Sequence, residues 1–343
     1  MQLTVANRRP FYTVRIAWTL ALFLGAEVEG PSSALAEGFQ GDVELLKEVA
    51  DAWSANKAKI RTWRGEARVT DTMTRDGKPH ASSVSDVSFA YDAARKAKRW
   101  NWTYREWTRP VDGIEKSDPE KFPHSWSNGM IKDGAFYSVI KGPKFEKSIS
   151  IMQAEKASFG PMSPTFDPMF YIFDEGENLS GRLMFFHENA RHPAFKDSSV
   201  RRSGTVVTTN HVTEDTLGRY VADLAMGGQL LEFSAKSTSP AGEIADKSTY
   251  RYEQKGGAWV PKFFQYRQVV TEADRSEIST RVLIWKTNVV NEELSEDEFE
   301  LPALGVEEGD FMTDGRTGAE SRFKLPEGKK PPVPPIGGGK PAS

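Results

Sequence analysis

The sequence contains no cysteine, and this absence excludes several classes of protein. None of its 343 residues carries a thiol, so thiolate zinc sites, iron–sulfur clusters and cysteine nucleophiles are excluded. No disulfide can form, and no lipid can be attached to an N-terminal cysteine. We therefore expect the fold to be stabilised by its core alone.

Motifs of known catalytic and cofactor sites are also missing. The sequence has no G-x-S-x-G elbow, no P-loop and no G-x-G-x-x-G. His187 and His192 are five residues apart, whereas the two histidines of a zinc protease helix must be four apart to share a face. The acidic stretch 292–300 lacks the residue order of a calcium loop and is interpreted as a solvated connector. We expect no catalytic residue, no metal and no cofactor.

Charge of one sign is not in excess. The 45 Lys and Arg and the 48 Asp and Glu give a formal net charge of −3, and both signs are mixed along the chain. A basic stripe for nucleic acid or an anionic membrane is absent. Nucleic acid is therefore not an expected partner.

Residues 1–36 have the three parts of an export signal. Arginines precede an apolar run from Ile16 to Ala26, and Ala34-Leu35-Ala36 fits a cleavage site. The run is too short to cross a bilayer, which takes about 20 residues, so no transmembrane anchor is expected after cleavage. Arg8-Arg9 fits either an ordinary basic start or a twin-arginine signal. We expect an exported protein in the periplasm, with secretion as the alternative.

The next segment changes from a helical to a strand period. Apolar residues recur at helical spacing from Asp42 to about Arg61, which predicts an amphipathic helix. From Trp63 to Val69 apolar and polar residues alternate, and Asp76-Gly77 is typical of a hairpin turn. This pattern predicts a helix leading into an antiparallel sheet.

Turn dipeptides separate further alternating runs. We predict turns at Asn128-Gly129, Asp133-Gly134, Gly227-Gly228 and Gly256-Gly257. About ten strands follow from this count, with none alternating with helices, so a nucleotide-binding α/β sheet is excluded. Residues 149–195 interrupt the strands with prolines, methionines and phenylalanines, and short helices are predicted there. The apolar side chains of this stretch either form a surface that adapts to an apolar ligand or fill the core.

The predicted domain organisation has four parts. The signal (1–36) is followed by one domain (37–302), an acidic and glycine-rich extension (303–325), and a Pro/Gly/Lys tail (326–343) that has nothing to bury and is predicted to be disordered. Trp100 and Trp102 alternate with polar residues and therefore share one sheet face. They are interpreted as core or cavity lining, with stacking on sugars as the alternative.

The order of these elements resembles the periplasmic carriers of outer-membrane lipoproteins. The resemblance runs from about Val43 to Pro302 and includes the helix entering a strand, the basic aromatic strand Arg95–Trp102, the Asp133-Gly134 hairpin and the proline-bearing stretch Pro164–Phe173. The longer loop Glu106–Trp126 and the C-terminal tail depart from the family pattern. The departures bear on the cargo more than on the fold.

The resemblance implies a mainly β fold: a strongly curved antiparallel sheet, or incomplete barrel, covered by an N-terminal helix and a short helical lid. It implies an apolar cavity between sheet and lid that accepts acyl chains. It also implies an arginine that holds the lid closed, either Arg95 or Arg99. The predicted cavity-lining residues are Trp100, Trp102, Phe166, Met169, Phe170, Phe173 and Met184.

We therefore expect a non-enzymatic carrier or sensor that binds acyl chains of lipids or lipoproteins, with a membrane-bound donor or acceptor protein as a possible partner. The first alternative is a structural or interaction module of the cell envelope without a lipid ligand. The second is a secreted carbohydrate-binding domain or hydrolase.

Overall fold

The computed structural model describes residues 38–110, 114–116, 126–142, 145–153, 179–240, 242–273 and 275–324. Two α-helices and seventeen strands lie within these residues. The helices are α1 (Glu44–Ala58) and α2 (Leu179–Glu188). The strands are β1 (Gln40–Gly41), β2 (Thr62–Arg75), β3 (Lys78–Asp92), β4 (Ala97–Pro110), β5 (Ile114–Lys116), β6 (Trp126–Lys132), β7 (Ala135–Gly142), β8 (Phe145–Gln153), β9 (Ser199–Ser203), β10 (Val206–Val212), β11 (Thr216–Asp223), β12 (Gln229–Ser239), β13 (Gly242–Lys255), β14 (Ala258–Glu272), β15 (Arg275–Val290), β16 (Phe311–Asp314) and β17 (Ala319–Arg322).

The strands form one curved, open sheet, which confirms the predicted incomplete barrel covered by helices. Its order is β1-β9-β10-β11-β12-β13-β14-β15-β2-β3-β4-β6-β7-β8-β16-β17, with β5 paired to the end of β4 beside β6. Neighbours are antiparallel except for β1–β9 and β8–β16, which are parallel. The sheet is therefore mixed rather than wholly antiparallel as predicted.

Alternation of side chains gives the sheet two distinct faces. In β2 the side chains of Trp63, Ala67 and Val69 are buried, whereas those of Arg64, Glu66 and Arg68 are exposed. We call the face that carries Trp63 and contacts the helices the inner face, and the opposite one the outer face. At the β2–β3 hairpin Asp76 and Gly77 have φ of 51° and 73°, the left-handed pair that a two-residue turn requires.

Helix α1 packs on the inner face as its apolar stripe predicts. Its buried side chains include Leu46, Val49 and Trp53. The amide of Asn56 donates to the carbonyl of Trp259 (3.0 Å) and accepts from its N–H (2.8 Å), which fixes α1 against β14. Gly228 approaches so closely that a Cβ there would lie 2.6 Å from the carbonyl oxygen of Val49.

Two local predictions were wrong. Asn128-Gly129 is not a turn but lies inside β6. Glycine is found at position 129 because it leaves room for the Trp100 ring beside it. Residues 149–153 belong to β8 rather than to a helical stretch. Strand β9 was not predicted. The remaining turn predictions, Asp133-Gly134, Gly227-Gly228 and Gly256-Gly257, are confirmed between consecutive strands.

The sheet also continues past the predicted domain boundary at residue 302. Strand β16 pairs with β8, with Met312 opposite Ile149, and β17 pairs with β16. Residues 294–306 cross the outer face, where Leu294, Phe299 and Leu304 are buried together. We call residues 294–310 the C-terminal strap. The stretch predicted as an extension is thus in part an integral layer of the fold.

Candidate ligand-binding face

Trp100 and Trp102 lie on the inner face, as alternation predicted. Both are buried, with 2% and 1% of their surface exposed. The Trp100 ring stacks on Phe136 at 5.9 Å, and Trp63 meets Phe89 edge to face at 4.5 Å. Their role in binding a ligand stays a prediction.

These rings belong to a continuous apolar layer that we call the aromatic floor. It contains the buried side chains of Trp53, Ile60, Trp63, Ala67, Val69, Val87, Phe89, Trp100, Trp102, Phe136, Ala258, Val260, Phe264, Leu283, Trp285 and Val290. Further side chains pack against it but keep part of their surface exposed: Tyr91, Tyr104, Ile131, Met152, Leu179, Tyr250 and Tyr266. The floor therefore offers apolar contact beyond its packed centre.

A buried ion pair lies on the same face, further along the strands. Arg281 of β15 donates to Asp71 of β2 through Nε (2.7 Å) and a terminal nitrogen (3.2 Å). Ser83 of β3 donates to the same carboxylate at 3.4 Å. Asp71 is only 4% exposed, and two parallel bonds from a guanidinium are the geometry that best compensates a buried carboxylate.

A second polar group continues this line across the sheet. Asp246 of β13 accepts hydrogen bonds from the hydroxyl of Tyr266 (2.7 Å) and the amide of Gln268 (3.0 Å). Tyr266 lies opposite Arg281 in the β14–β15 pair. We call the residues Asp71, Ser83, Asp246, Tyr266, Gln268 and Arg281 the polar band. The inner face is thus amphipathic, with an apolar floor and a polar band beside it.

Helix α2 covers a separate part of the inner face. Met184, a predicted lining residue, packs there with Leu183 and Phe186 rather than on the aromatic floor. The imidazole of His211 stacks on Phe186 at 4.7 Å. Burial first, and then the nearby Arg182 guanidinium, lower the pKa of His211 to about 4. The imidazole is therefore neutral near pH 7.

The two predicted latch arginines hold the C-terminal strap. Arg99 lies on the outer face, forms an ion pair with Glu298 and donates to the carbonyl of Ala303 at 3.2 Å. Arg95 donates to Asp92 (2.6 Å) and to the carbonyl of Leu294 (3.1 Å). The part of the lid prediction that concerns residues 164–173 lies outside the described residues, as do Phe166, Met169, Phe170 and Phe173.

The strap has further contacts that sequence reasoning missed. Asn128 donates to the carbonyl of Leu304 (2.9 Å), Lys132 to that of Phe299 (3.2 Å), and Lys147 to that of Gly305 (3.0 Å). These donors lie on β6 and β8, far in sequence from their acceptors. The acidic stretch 292–300, interpreted from the sequence as a solvated connector, instead lies against basic side chains, and Glu300 pairs with Lys132 at 3.0 Å.

Histidines and carboxylates in the described residues form no group of three that could hold a metal. His187 contacts Glu44 at 3.1 Å, and His192 accepts from the backbone N–H of Ala194. An open depression of about 570 Å³ is lined by polar and charged residues of β9–β11. A second, of about 640 Å³, lies between the β3–β4 and β6–β7 turns and the C-terminal strap. Neither depression is lined by a residue of the aromatic floor.

Of the helices described, none is long and apolar enough to cross a membrane.

Comparison with known proteins gives no family. No family model and no curated protein matches this chain. A crystal structure of a DUF1329 family protein from Desulfovibrio piger is 14% identical; the match covers 76% of this chain and 98% of that one, with a TM-score of 0.34. A structure on lipid–protein interactions in lipovitellin is 6% identical, with 68% of this chain and 26% of that chain covered and a TM-score of 0.28. This chain thus spans about a quarter of that lipovitellin chain, and similarity at this level assigns no function.

Proposed function

We propose that the protein is an exported, non-enzymatic carrier or sensor that binds acyl chains on the inner face of its sheet. The observation that carries the proposal is the aromatic floor, which ends in partly exposed apolar side chains such as Tyr104, Ile131 and Met152. An apolar sheet face of this kind is stable only where something apolar lies on it.

The energetics of acyl binding favour such a face. Each methylene moved from water onto an apolar surface contributes about 0.8 kcal/mol, so ten methylenes supply about 8 kcal/mol before the cost of association. Binding therefore needs little polar recognition. The polar band beside the floor provides hydrogen-bonding groups where the polar end of a lipid would lie.

The test is a displacement assay with a fluorescent acyl probe on delipidated protein. We expect saturable binding that Met152→Gln weakens three- to tenfold, because Met152 packs against the floor and the amide costs desolvation. Ile284→Gln is the matched control, since Ile284 is 51% exposed and lies on the outer face. Absence of saturable binding, or equal loss in both variants, would contradict the proposal.

Export is a separate part of the proposal. We propose cleavage after Ala36 and a periplasmic location, supported by the three-part pattern of residues 1–36. N-terminal sequencing of the protein recovered from an expressing bacterium is expected to start at Glu37. Recovery of the intact N-terminus from the cytoplasm would contradict it.

The alternative is an interaction module of the cell envelope. Strand β17 supports this alternative, because all its residues are exposed at an edge of the sheet and it ends shortly before the tail begins at residue 326. Unpaired edge strands are sites at which other chains add. Deleting residues 326–343 separates the two functions: loss of a partner with intact acyl binding would assign the interaction to the tail.

A further inference from the structure

Ser85 and Trp285 each place on the inner face a buried hydrogen-bond donor that has no partner within the described structure. The donors are the hydroxyl of Ser85 in β3 and the indole N–H of Trp285 in β15. Ser85 is 1% exposed and Trp285 is 5% exposed. By contrast, the indole of Trp63 donates to the amide oxygen of Asn288 at 3.0 Å. Buried donors are nearly always bonded, so two unbonded donors on one face are unusual.

Ser85 lies where the aromatic floor meets the polar band. Its cross-strand neighbours on the inner face are Val69 of β2 and Tyr104 of β4, and Ser83 of the polar band lies two residues earlier on the same strand. Trp285 pairs with Ala67 on the other side of β2. From the strand spacing and the rise per residue, the Cα atoms of Ser85 and Trp285 are about 12 Å apart. The two donors are therefore close enough for one extended ligand to reach both.

The charged residues near Ser85 indicate which kind of ligand group would accept its hydrogen bond. Asp71, the nearest charged residue of β2 on the inner face, is already bonded in parallel by Arg281. The pair is neutral as a whole, and the other carboxylate of the band, Asp246, is held by two neutral donors. Among the described residues a ligand carboxylate would meet no unneutralised cation on this face, whereas a carbonyl oxygen accepts a hydrogen bond at no electrostatic cost.

We propose that Ser85 and Trp285 bind the carbonyl oxygens of a neutral acyl ester or amide, and that this face discriminates against free fatty-acid carboxylates. The inference rests on the proposed acyl-chain function and names the class of ligand that the same face takes. Ser85 fixes the carbonyl at the border of floor and band. The acyl chain then runs over the floor, and the remainder of the ligand lies toward the band.

The experiment compares methyl palmitate with palmitate at pH 8 on the delipidated full chain, in competition with the fluorescent acyl probe. We expect the ester to bind at least tenfold more tightly. Ser85→Ala and Trp285→Phe are each expected to weaken ester binding three- to tenfold, the usual range for one hydrogen bond, and to change palmitate binding less than twofold. Ser88→Ala is the matched control, because Ser88 lies on the same strand but on the outer face.

Stability provides the second readout. Since the Ser85 hydroxyl has no partner to lose within the described protein, Ser85→Ala is expected to leave the urea midpoint unchanged or raised. Equal binding of ester and acid by the unmodified chain, or equal loss of both in Ser85→Ala, would overturn the inference and leave acyl binding intact. Failure of both probes to bind would overturn the proposed function instead. The mass of a ligand bound in native mass spectrometry distinguishes a glycerolipid ester from an acylated polypeptide.

Discussion

His211 makes the stability of the α2 region depend on pH. Its pKa is about 4 in the folded protein because of burial and the Arg182 charge, against about 6.5 in an unfolded chain. Between these values the unfolded chain binds a proton that the folded protein does not, so stability is complete above pH 6.5 and is lost as the pH falls toward 4. Allowing for partial exposure, we expect this histidine to account for a loss on the order of 2 kcal/mol.

The His211→Phe variant isolates this contribution. Phenylalanine keeps the ring stack on Phe186 but cannot be protonated. Urea unfolding at pH 7 and pH 4 is expected to show a smaller pH-dependent loss for the variant than for the unmodified chain. An equal loss of stability between pH 7 and pH 4 in both proteins would show that protonation of His211 is not its cause.

Gly129 is required by the Trp100 ring rather than by a turn. A Cβ at this position would lie 2.3 Å from Cζ2 of Trp100, and the ring is held from the other side by Phe136. We expect Gly129→Ala to lower the free energy of unfolding by about 2 kcal/mol, as overpacking usually does. Urea denaturation followed by tryptophan fluorescence measures the change.

Gly218→Ala is the matched control for that substitution. Gly218 also lies within a strand, but the nearest atom to a Cβ there is 3.7 Å away, on His211. Added van der Waals contact and a less flexible unfolded chain should make it neutral or slightly stabilising. If both alanine variants unfolded at the same urea concentration, close packing against Trp100 would not be the reason for glycine.

The C-terminal strap depends on Arg99. This guanidinium is 12% exposed, pairs with Glu298 and bonds the carbonyl of Ala303. Burial lowers its pKa while Glu298 opposes the shift, and the side chain stays charged. Arg99→Met leaves both acceptors without this donor, so we expect a loss of about 2 kcal/mol and faster proteolysis within the strap.

The exposed pair of Lys47 and Asp51 supplies the comparison for Arg99. Their side chains are 48% and 63% exposed, so Lys47→Met is expected to change the free energy of unfolding by less than about 0.5 kcal/mol. Equal effects of the two substitutions in urea denaturation would mean that the strap is not fastened by Arg99.

Local patterns predicted the elements best. Alternation in Trp63–Val69 and the Asp76-Gly77 turn identified the first hairpin because both signals lie within a few residues. The same reasoning failed at Asn128-Gly129, where the reason for the glycine is a ring on the neighbouring strand. The residue pattern of one strand does not show which side chains of the neighbouring strand it will contact.

The arrangement of the whole sheet and its polar band needed the structure. Alternation placed Trp100 and Trp102 on one face, but it could not say that Asp71 and Arg281, 210 residues apart, would meet there. The parallel pairs β1–β9 and β8–β16 likewise join distant segments at the sheet edges. The family resemblance anticipated the curved open sheet, because the order of elements limits how strands can pair.

Native mass spectrometry of the full chain, purified without detergent and compared before and after organic extraction, tests acyl binding on the inner face most directly. We expect the untreated protein to carry a bound mass that corresponds to an acyl ester or amide and that extraction removes. The extracted protein should then bind an added acyl ester. A protein that carries no such mass and does not bind the added ester would contradict acyl binding on the inner face.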